Sequence, residues 1–306
     1  MRRQHTSLSI SCVKTPETLP GLFFLCTAVL FLAVSCATSP AYKTDLFPTE
    51  ELVPSDISWE PVCSGIQRTD FNNPHIPLIW HALRIDLSSE TIELISNPSE
   101  KLTGSSVSVS SFSKKYRAAA AVNANPFSIT GLYPFSRRYP VGIYIENGNE
   151  LSPPSSRYGA LVFFASGNGT GYRSVIIDSQ SEIAQMNEKP LFAFGGFWTI
   201  LRNGHIPVYV LHRAARTAAG TDSNGTILYL LAVEGLQRHT STGLSFMECG
   251  SIMEKMGAHT AVMLDGGPST QMYINGKNVL SYSRFRKSAD CFGFAVRART
   301  PGSLSH

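Results

Sequence analysis

Val262-Met263-Leu264-Asp265-Gly266-Gly267-Pro268-Ser269-Thr270-Gln271-Met272-Tyr273-Ile274-Asn275-Gly276-Lys277 sets an acidic residue at the end of an apolar run and follows it with a glycine pair. An apolar run of this length before turn residues reads as a buried strand, here Ala261–Leu264, with Asp265 at its exit. Two glycines allow a sharp turn and let a ligand reach the backbone, because no Cβ stands in the way. Ser269 and Thr270 add hydroxyls. Two readings of Asp265 follow: a residue that satisfies turn amides, or a carboxylate placed for chemistry. The rest of the chain has to separate them.

Working outward, Asn-Gly pairs recur at 147–148, 168–169, 203–204, 224–225 and 275–276. Most are flanked by apolar or alternating runs, such as Gly142–Glu146 and Thr226–Val233. Asn-Gly suits the positive φ angles of tight hairpin turns, so the chain is rich in antiparallel strands. Asn168 and Asn224 also open glycosylation-type triplets, which hairpin turns explain equally well. Helices are predicted over Ser245–Met256, where Ser245 and Glu248 have capping-box spacing and Gly257 ends the stripe, and over Val109–Tyr116. The predicted fold is α+β: one domain over 59–300 with a large mixed, mostly antiparallel sheet, many hairpins and a few packed helices, then a short tail at 301–306.

Composition agrees with a globular protein, since 43% of the 306 residues are hydrophobic and 16% are charged. Arg2, Arg3 and Lys14 precede an apolar stretch from Leu22 to Val34 and a small-residue site ending in Cys36, the layout of a signal peptide over 1–35. Leu32–Cys36 resembles a bacterial lipobox, with Cys36 the lipidated residue, 36–58 a tether, and the product an exported, membrane-anchored lipoprotein of the cell envelope. Ordinary cleavage after Ser35 is the alternative. Losing Arg2, Arg3, Lys14 and Glu17 takes the net charge from +4 to +2, with charges scattered, which excludes a nucleic-acid partner. Cys63, Cys249 and Cys291 remain, an odd number without C-x-x-C spacing, which argues against zinc and allows at most one bridge. No metal or cofactor is called for. A serine-hydrolase elbow is missing because Gly267-Pro268-Ser269-Thr270-Gln271 lacks its second glycine, and no G-K-[ST] follows to make a phosphate loop.

Four further polar islands end apolar runs: Ala121–Phe127, His212–Gly220, Ala232–Gly235 and Arg286–Phe294. Taken in order with Leu264–Thr270 and Asn275-Gly276-Lys277, they resemble the phosphodiester glycosidase domain over about Ile76 to Val296. That family typically carries an A-x-N-G-x-F-like segment, H-P-R-T-A-x-G, a strand ending in D-G, L-D-G-G-G-S-S/T and N-G-K. Its members remove a sugar from a phosphodiester and leave a phosphomonoester. The resemblance implies Asp265, Glu234 and Arg216 as catalytic residues. It implies a glycan or sugar-phosphate contact for Asn123, Phe127, Thr217, Gly266, Gly267, Ser269, Thr270 and Arg286. Four departures stand out: Ala124 replaces the motif glycine, Ala215 the proline, Pro268 the third glycine, and Glu234 stands where Asp is usual. These leave a second reading, a non-catalytic carbohydrate-binding surface lipoprotein with a degenerate site. For the enzyme, glycoside cleavage employs two carboxylates, and a phosphate leaving group departs as an anion that a guanidinium and backbone donors stabilise.

Overall fold

A computed structural model describes residues 46–97, 107–132, 135–167, 169–207, 211–282 and 286–297. The expected signal peptide, Cys36, the first part of the tether, Asn168 and the 301–306 tail lie outside the described residues.

The strands form three principal sheets and a ribbon, and every strand pair among the described residues is antiparallel. The first sheet has seven strands, in the order β1 (Glu60–Cys63), β2 (Ile66–Asn73), β3 (Leu78–Asp86), β15 (Ile227–Val233), β14 (Arg216–Thr221), β16 (Thr260–Met263) and β13 (Thr199–Arg202). A second runs β11 (Tyr172–Ile177), β10 (Ala160–Ala165), β12 (Phe192–Gly195), β8 (Tyr144–Glu146), β9 (Asn149–Ser152). The third runs β18 (Lys277–Asn278), β17 (Met272–Ile274), β5 (Ala118–Asn123), β19 (Cys291–Val296), β4 (Ile92–Ser96). The ribbon pairs β6 (Phe127–Thr130) with β7 (Arg137–Pro140).

The expected antiparallel strands, hairpins and few helices are found, but the single large mixed sheet of an α+β domain is corrected: the strands divide among several sheets and the protein is mainly β. Strand twist accumulates across a sheet, so strands beyond about ten split into packed layers rather than extend one surface. Alternation shows how the layers meet. In β15, Leu228, Leu230 and Ala232 enter a core shared by all three sheets, while Tyr229, Leu231 and Val233 enter a second core. Both faces are therefore buried, which is why the strand reads as a continuous apolar run. Phe194 and Phe292 stack at 4.5 Å where the second and third sheets touch.

The second core is roofed by the helix Phe246–Met256, whose stripe Cys249, Ile252, Met253 and Met256 is buried. Its capping box forms as predicted: Ser245 Oγ accepts the Glu248 N–H, and the Glu248 carboxylate accepts the Ser245 N–H. Gly257 closes it at φ +104°. The other predicted helix spans Val109–Lys115. Three Asn-Gly pairs take positive φ at both residues, at 147–148, 203–204 and 275–276. At 224–225 only Gly225 does, and the Asp222 carboxylate instead accepts the Thr226 and Ile227 N–H groups.

The described end of the expected tether packs on the domain. Leu52 is buried, its carbonyl accepts Trp80 Nε1 at 2.8 Å, and Phe47 N–H donates to Glu248 Oε1. Cys63, Cys249 and Cys291 are all free thiols.

Candidate active site

Asp265 sits where the chain crosses from the first sheet to the third. Leu264 N–H still bonds Thr217 on β14, but Asp265 N–H turns to Ala124 O beyond β5, at 3.0 Å. Gly267 N–H returns to Ala215 O at 2.7 Å, and one 3-10 turn, Gly267–Ser269, leads into β17. Glycine is required twice here. A Cβ on Gly266 would lie 3.0 Å from Ala215 O, and Gly267 has φ +58° with open space around it.

Asn123 clamps this crossing. Its Nδ2 donates to Asp265 O at 2.6 Å, and its Oδ1 accepts both Thr217 Oγ1 and Gln271 N–H. Asn123 and Thr217 are fully buried. Both were expected to contact substrate; instead they bind two sheets together beneath the carboxylate. Ser269 and Thr270 are also buried rather than presented outward.

The Asp265 carboxylate has few donors. Oδ1 accepts Gly266 N–H at 3.0 Å, and no protein donor reaches Oδ2. Burial pushes its pKa up to about 6, against the opposing pull of the Ser269 hydroxyl and the Arg286 charge. Arg286 also lies over the Phe127 ring, at 5.5 Å, which brings both expected contact residues to this site. Arg216 lies beside Gly266, whose added Cβ would come 3.8 Å from Arg216 Cδ. Its Nε and Nη2 donate to Leu244 O and His212 O, and the guanidinium covers the Phe246 ring at 4.6 Å. These bonds use two of five N–H donors.

Glu234 is placed otherwise. It ends β15 two strands from β16, and strand spacing puts the two backbones roughly 10 Å apart. It is fully buried. Its Oε1 accepts Ser281 N–H at 2.5 Å and meets His81 Nε2 at 3.0 Å, and its Oε2 accepts the Ser281 hydroxyl. His81 Nδ1 in turn meets Asp70 Oδ1 at 2.6 Å, and Asp70 pairs with Arg68. Burial raises the Glu234 pKa, but the bonds from His81 and Ser281 outweigh it and leave the carboxyl below its ordinary value. Burial likewise lowers His81, and the two flanking carboxylates outweigh it and raise the imidazole. This chain of charges floors a cleft of about 420 Å³ lined by Arg68, Asp70, His81, Lys277 and Asn278. The expected pairing of Asp265 with Glu234 is thus not what the structure presents, because every Glu234 oxygen is already occupied.

The carboxyl that does neighbour Asp265 is Asp290, fully buried before β19. The polar island Arg286–Phe294 contains it, but its residue type and spacing alone do not single it out. The available signal was symmetry: Asp265 follows one apolar strand and Asp290 precedes another. His81 was missed as well: it sits on the partly buried face of β3, between buried Trp80 and Ala82, where alternation alone gives no sign of a role. Among the described residues no group of three or more His, Cys, Asp or Glu is arranged to hold a metal ion.

A family model described as phosphodiester glycosidase matches residues 116–295. No curated protein matches the chain by sequence. Among solved structures, a hypothetical protein from Synechocystis has TM-score 0.58 and 16% identity, over 80% of this chain and 64% of the other. The chain thus spans less than two thirds of that protein. A Burkholderia pseudomallei protein named "putative exported protein" has TM-score 0.59 and 16% identity, over 71% and 74%. The zebrafish N-acetylglucosamine-1-phosphodiester alpha-N-acetylglucosaminidase catalytic domain, auto-inhibited by its pro-peptide, has TM-score 0.59 and 17% identity, over 78% and 85%. At these identities the structural likenesses establish the fold alone.

Proposed function

The chain belongs to the phosphodiester glycosidase family, and from that premise we propose that it is a hydrolase that cleaves the sugar–phosphate linkage of a glycan phosphodiester, giving a free sugar and a phosphomonoester. The observation that carries the reading is Asp265: a half-buried, under-bonded carboxylate at a rigid sheet crossing, flanked by a glycine turn and within reach of the Arg286 charge. Water supplies the hydroxyl that the sugar gains, and the phosphate ester leaves as an anion that needs little protonation. Asp265 acts at the anomeric carbon, where its charge stabilises the oxocarbenium-like state. The remaining Arg216 donors and Arg286 receive the phosphate oxygens. The alternative, a carbohydrate-binding protein without turnover, has less support: of its two motives, the Glu234 and Pro268 departures, the first concerns a residue that stands apart from Asp265.

Incubation with an N-acetylglucosamine-1-phosphodiester tests the proposal. Release of free sugar supports it; saturable binding without release overturns it in favour of the binding protein.

Export and a lipid anchor at Cys36 belong to the same proposal, supported by the leader-like segment at 1–35 and, for export alone, by the name of the Burkholderia structural neighbour. No helix among the described residues is long and apolar enough to cross a membrane. If Cys36 is lipidated, Cys36→Ala moves the protein from the detergent phase to the soluble fraction with its fold intact; unchanged partitioning rejects the anchor.

A further inference from the structure

Asp265 and Asp290 are tied by one peptide group. The Ala124 carbonyl accepts Asp265 N–H at 3.0 Å, and the N–H of that same peptide, on Asn125, donates to Asp290 Oδ1 at 2.8 Å. Each carboxyl therefore has one oxygen held, by Gly266 N–H and by Asn125 N–H, and one oxygen, Oδ2, that no protein donor reaches. The side chain of the same Asn125 carries a third buried acceptor, Oδ1, without a donor. Buried acceptors without donors are costly, and a proton is the one group that turns an acceptor into a donor for its neighbours.

We propose that Asp265 and Asp290 hold one proton between them, with Asp290 the neutral member that orients the site and leaves Asp265 charged for its work at the sugar. The catalytic meaning of this pair rests on the function proposed above; the pairing itself does not. Two carboxylates in a poorly solvated region do not both ionise near neutrality, because the second charge meets both burial and the first. Asp290, fully buried, is pushed up to about 7, first by burial and then by the Asp265 charge, against the Asn125 bond. Asp265 reaches only about 6 because Ser269, Arg286 and Gly266 favour its anion. The other titratable groups facing Asp290 are Tyr144 on β8 and Cys291 on β19, both raised by burial and both neutral in this range. Between about pH 6 and about pH 7 the pair is singly protonated, and above that a second charge forms behind the reacting carboxylate. Asp290 is thus a positioning residue acting through Asp265.

The test is a carboxyl carbon-13 NMR titration of the full chain, as wild type and as Asp265→Asn. We expect the Asp290 midpoint to fall by about half a pH unit or more once the charge at 265 is gone. An unmoved midpoint overturns the pairing, whether or not any substrate is hydrolysed, so it fails separately from the proposed function. If Asp265→Asn does not fold, Asp290→Asn carries the same test. It keeps a neutral donor at 290, so the two-step titration must become a single step and the alkaline limb of kcat/KM must move upward or vanish. A profile whose alkaline limb stays where the wild type has it removes Asp290 from the mechanism.

Discussion

Glu234 and Asp265 leave parallel-running strands at the same end of the first sheet, and the fold treats them in opposite ways. Glu234 is the more deeply buried, yet its carboxyl is held below the ordinary range, while Asp265 is partly exposed and is held above it. Burial penalises both charges, so burial does not explain the difference. Donor number does: Glu234 is met by His81 and by two Ser281 groups, whereas Asp265 has Gly266 N–H, the nearby Ser269 hydroxyl and one oxygen without a partner. A saturated, charge-locked carboxylate makes a good structural tie and a poor reagent. An under-bonded one retains the capacity to act on a substrate.

That contrast breaks most visibly at Asp265. Asp265→Asn keeps the size and the turn but loses the charge, and we expect kcat to fall on the order of 10³-fold while the melting temperature moves little. Sugar-release kinetics and a thermal melt decide it: a large drop in melting temperature with the folded fraction still active makes Asp265 a turn residue.

Glu234→Gln should do the reverse. It strips the charge from the His81 and Ser281 network and leaves a charged imidazole with Asp70 alone, at a cost of about 3 kcal/mol in denaturant unfolding. Turnover by the folded fraction should stay within a few-fold of wild type. A loss in kcat rivalling that of Asp265→Asn, at unchanged stability, would return Glu234 to the catalytic pair.

Arg216 lies between these extremes, with two donors used by backbone carbonyls and its side-chain stem beside the glycine turn. Arg216→Ala is expected to weaken phosphodiester substrates about tenfold or more while affecting simple glycosides much less. Parallel kinetics on both substrate types measure this, and equal losses would make the guanidinium purely a tie to Leu244 and His212.

Stability against pH gives the smallest effect and sharpens the comparison. Asp265 and Asp290 are raised, so their contribution is complete below the ordinary aspartate value and disappears as pH climbs through about 6 and about 7. His81, also raised, loses its contribution in the same direction. Asp70 and Glu234 are lowered, so theirs is present above the ordinary carboxylate range and is lost as pH falls through it. The melting temperature is therefore expected to peak in mild acid and to decline toward pH 8. A thermal scan across pH 4–8 that rises instead toward alkali would contradict the assignment of raised carboxyls.

Much was local enough to read directly from the chain. The capping box at Ser245 and Glu248, the Asn-Gly turns at 147, 203 and 275, and Asp265 at a strand exit depend on neighbours within a few residues, and all are found. The ordered motifs also identified the family. The division into three sheets was not legible, because pairing partners such as Val122 and Met272 or Ala232 and His81 lie far apart in sequence. Nor was the role of Asn123, whose three bonds reach Thr217, Asp265 and Gln271.

By itself, then, the sequence determined which residues exit strands, where hairpins turn, and that Asp265 would be held on a rigid turn with room beside it, since those follow from backbone preferences and short-range bonds. Tertiary structure alone decided which carboxyls are charged. A carboxyl's proton affinity is set by donors and charges within a few ångströms, and those come from His81 and Ser281 for Glu234, and from Asn125, Asp265 and surrounding apolar strands for Asp290.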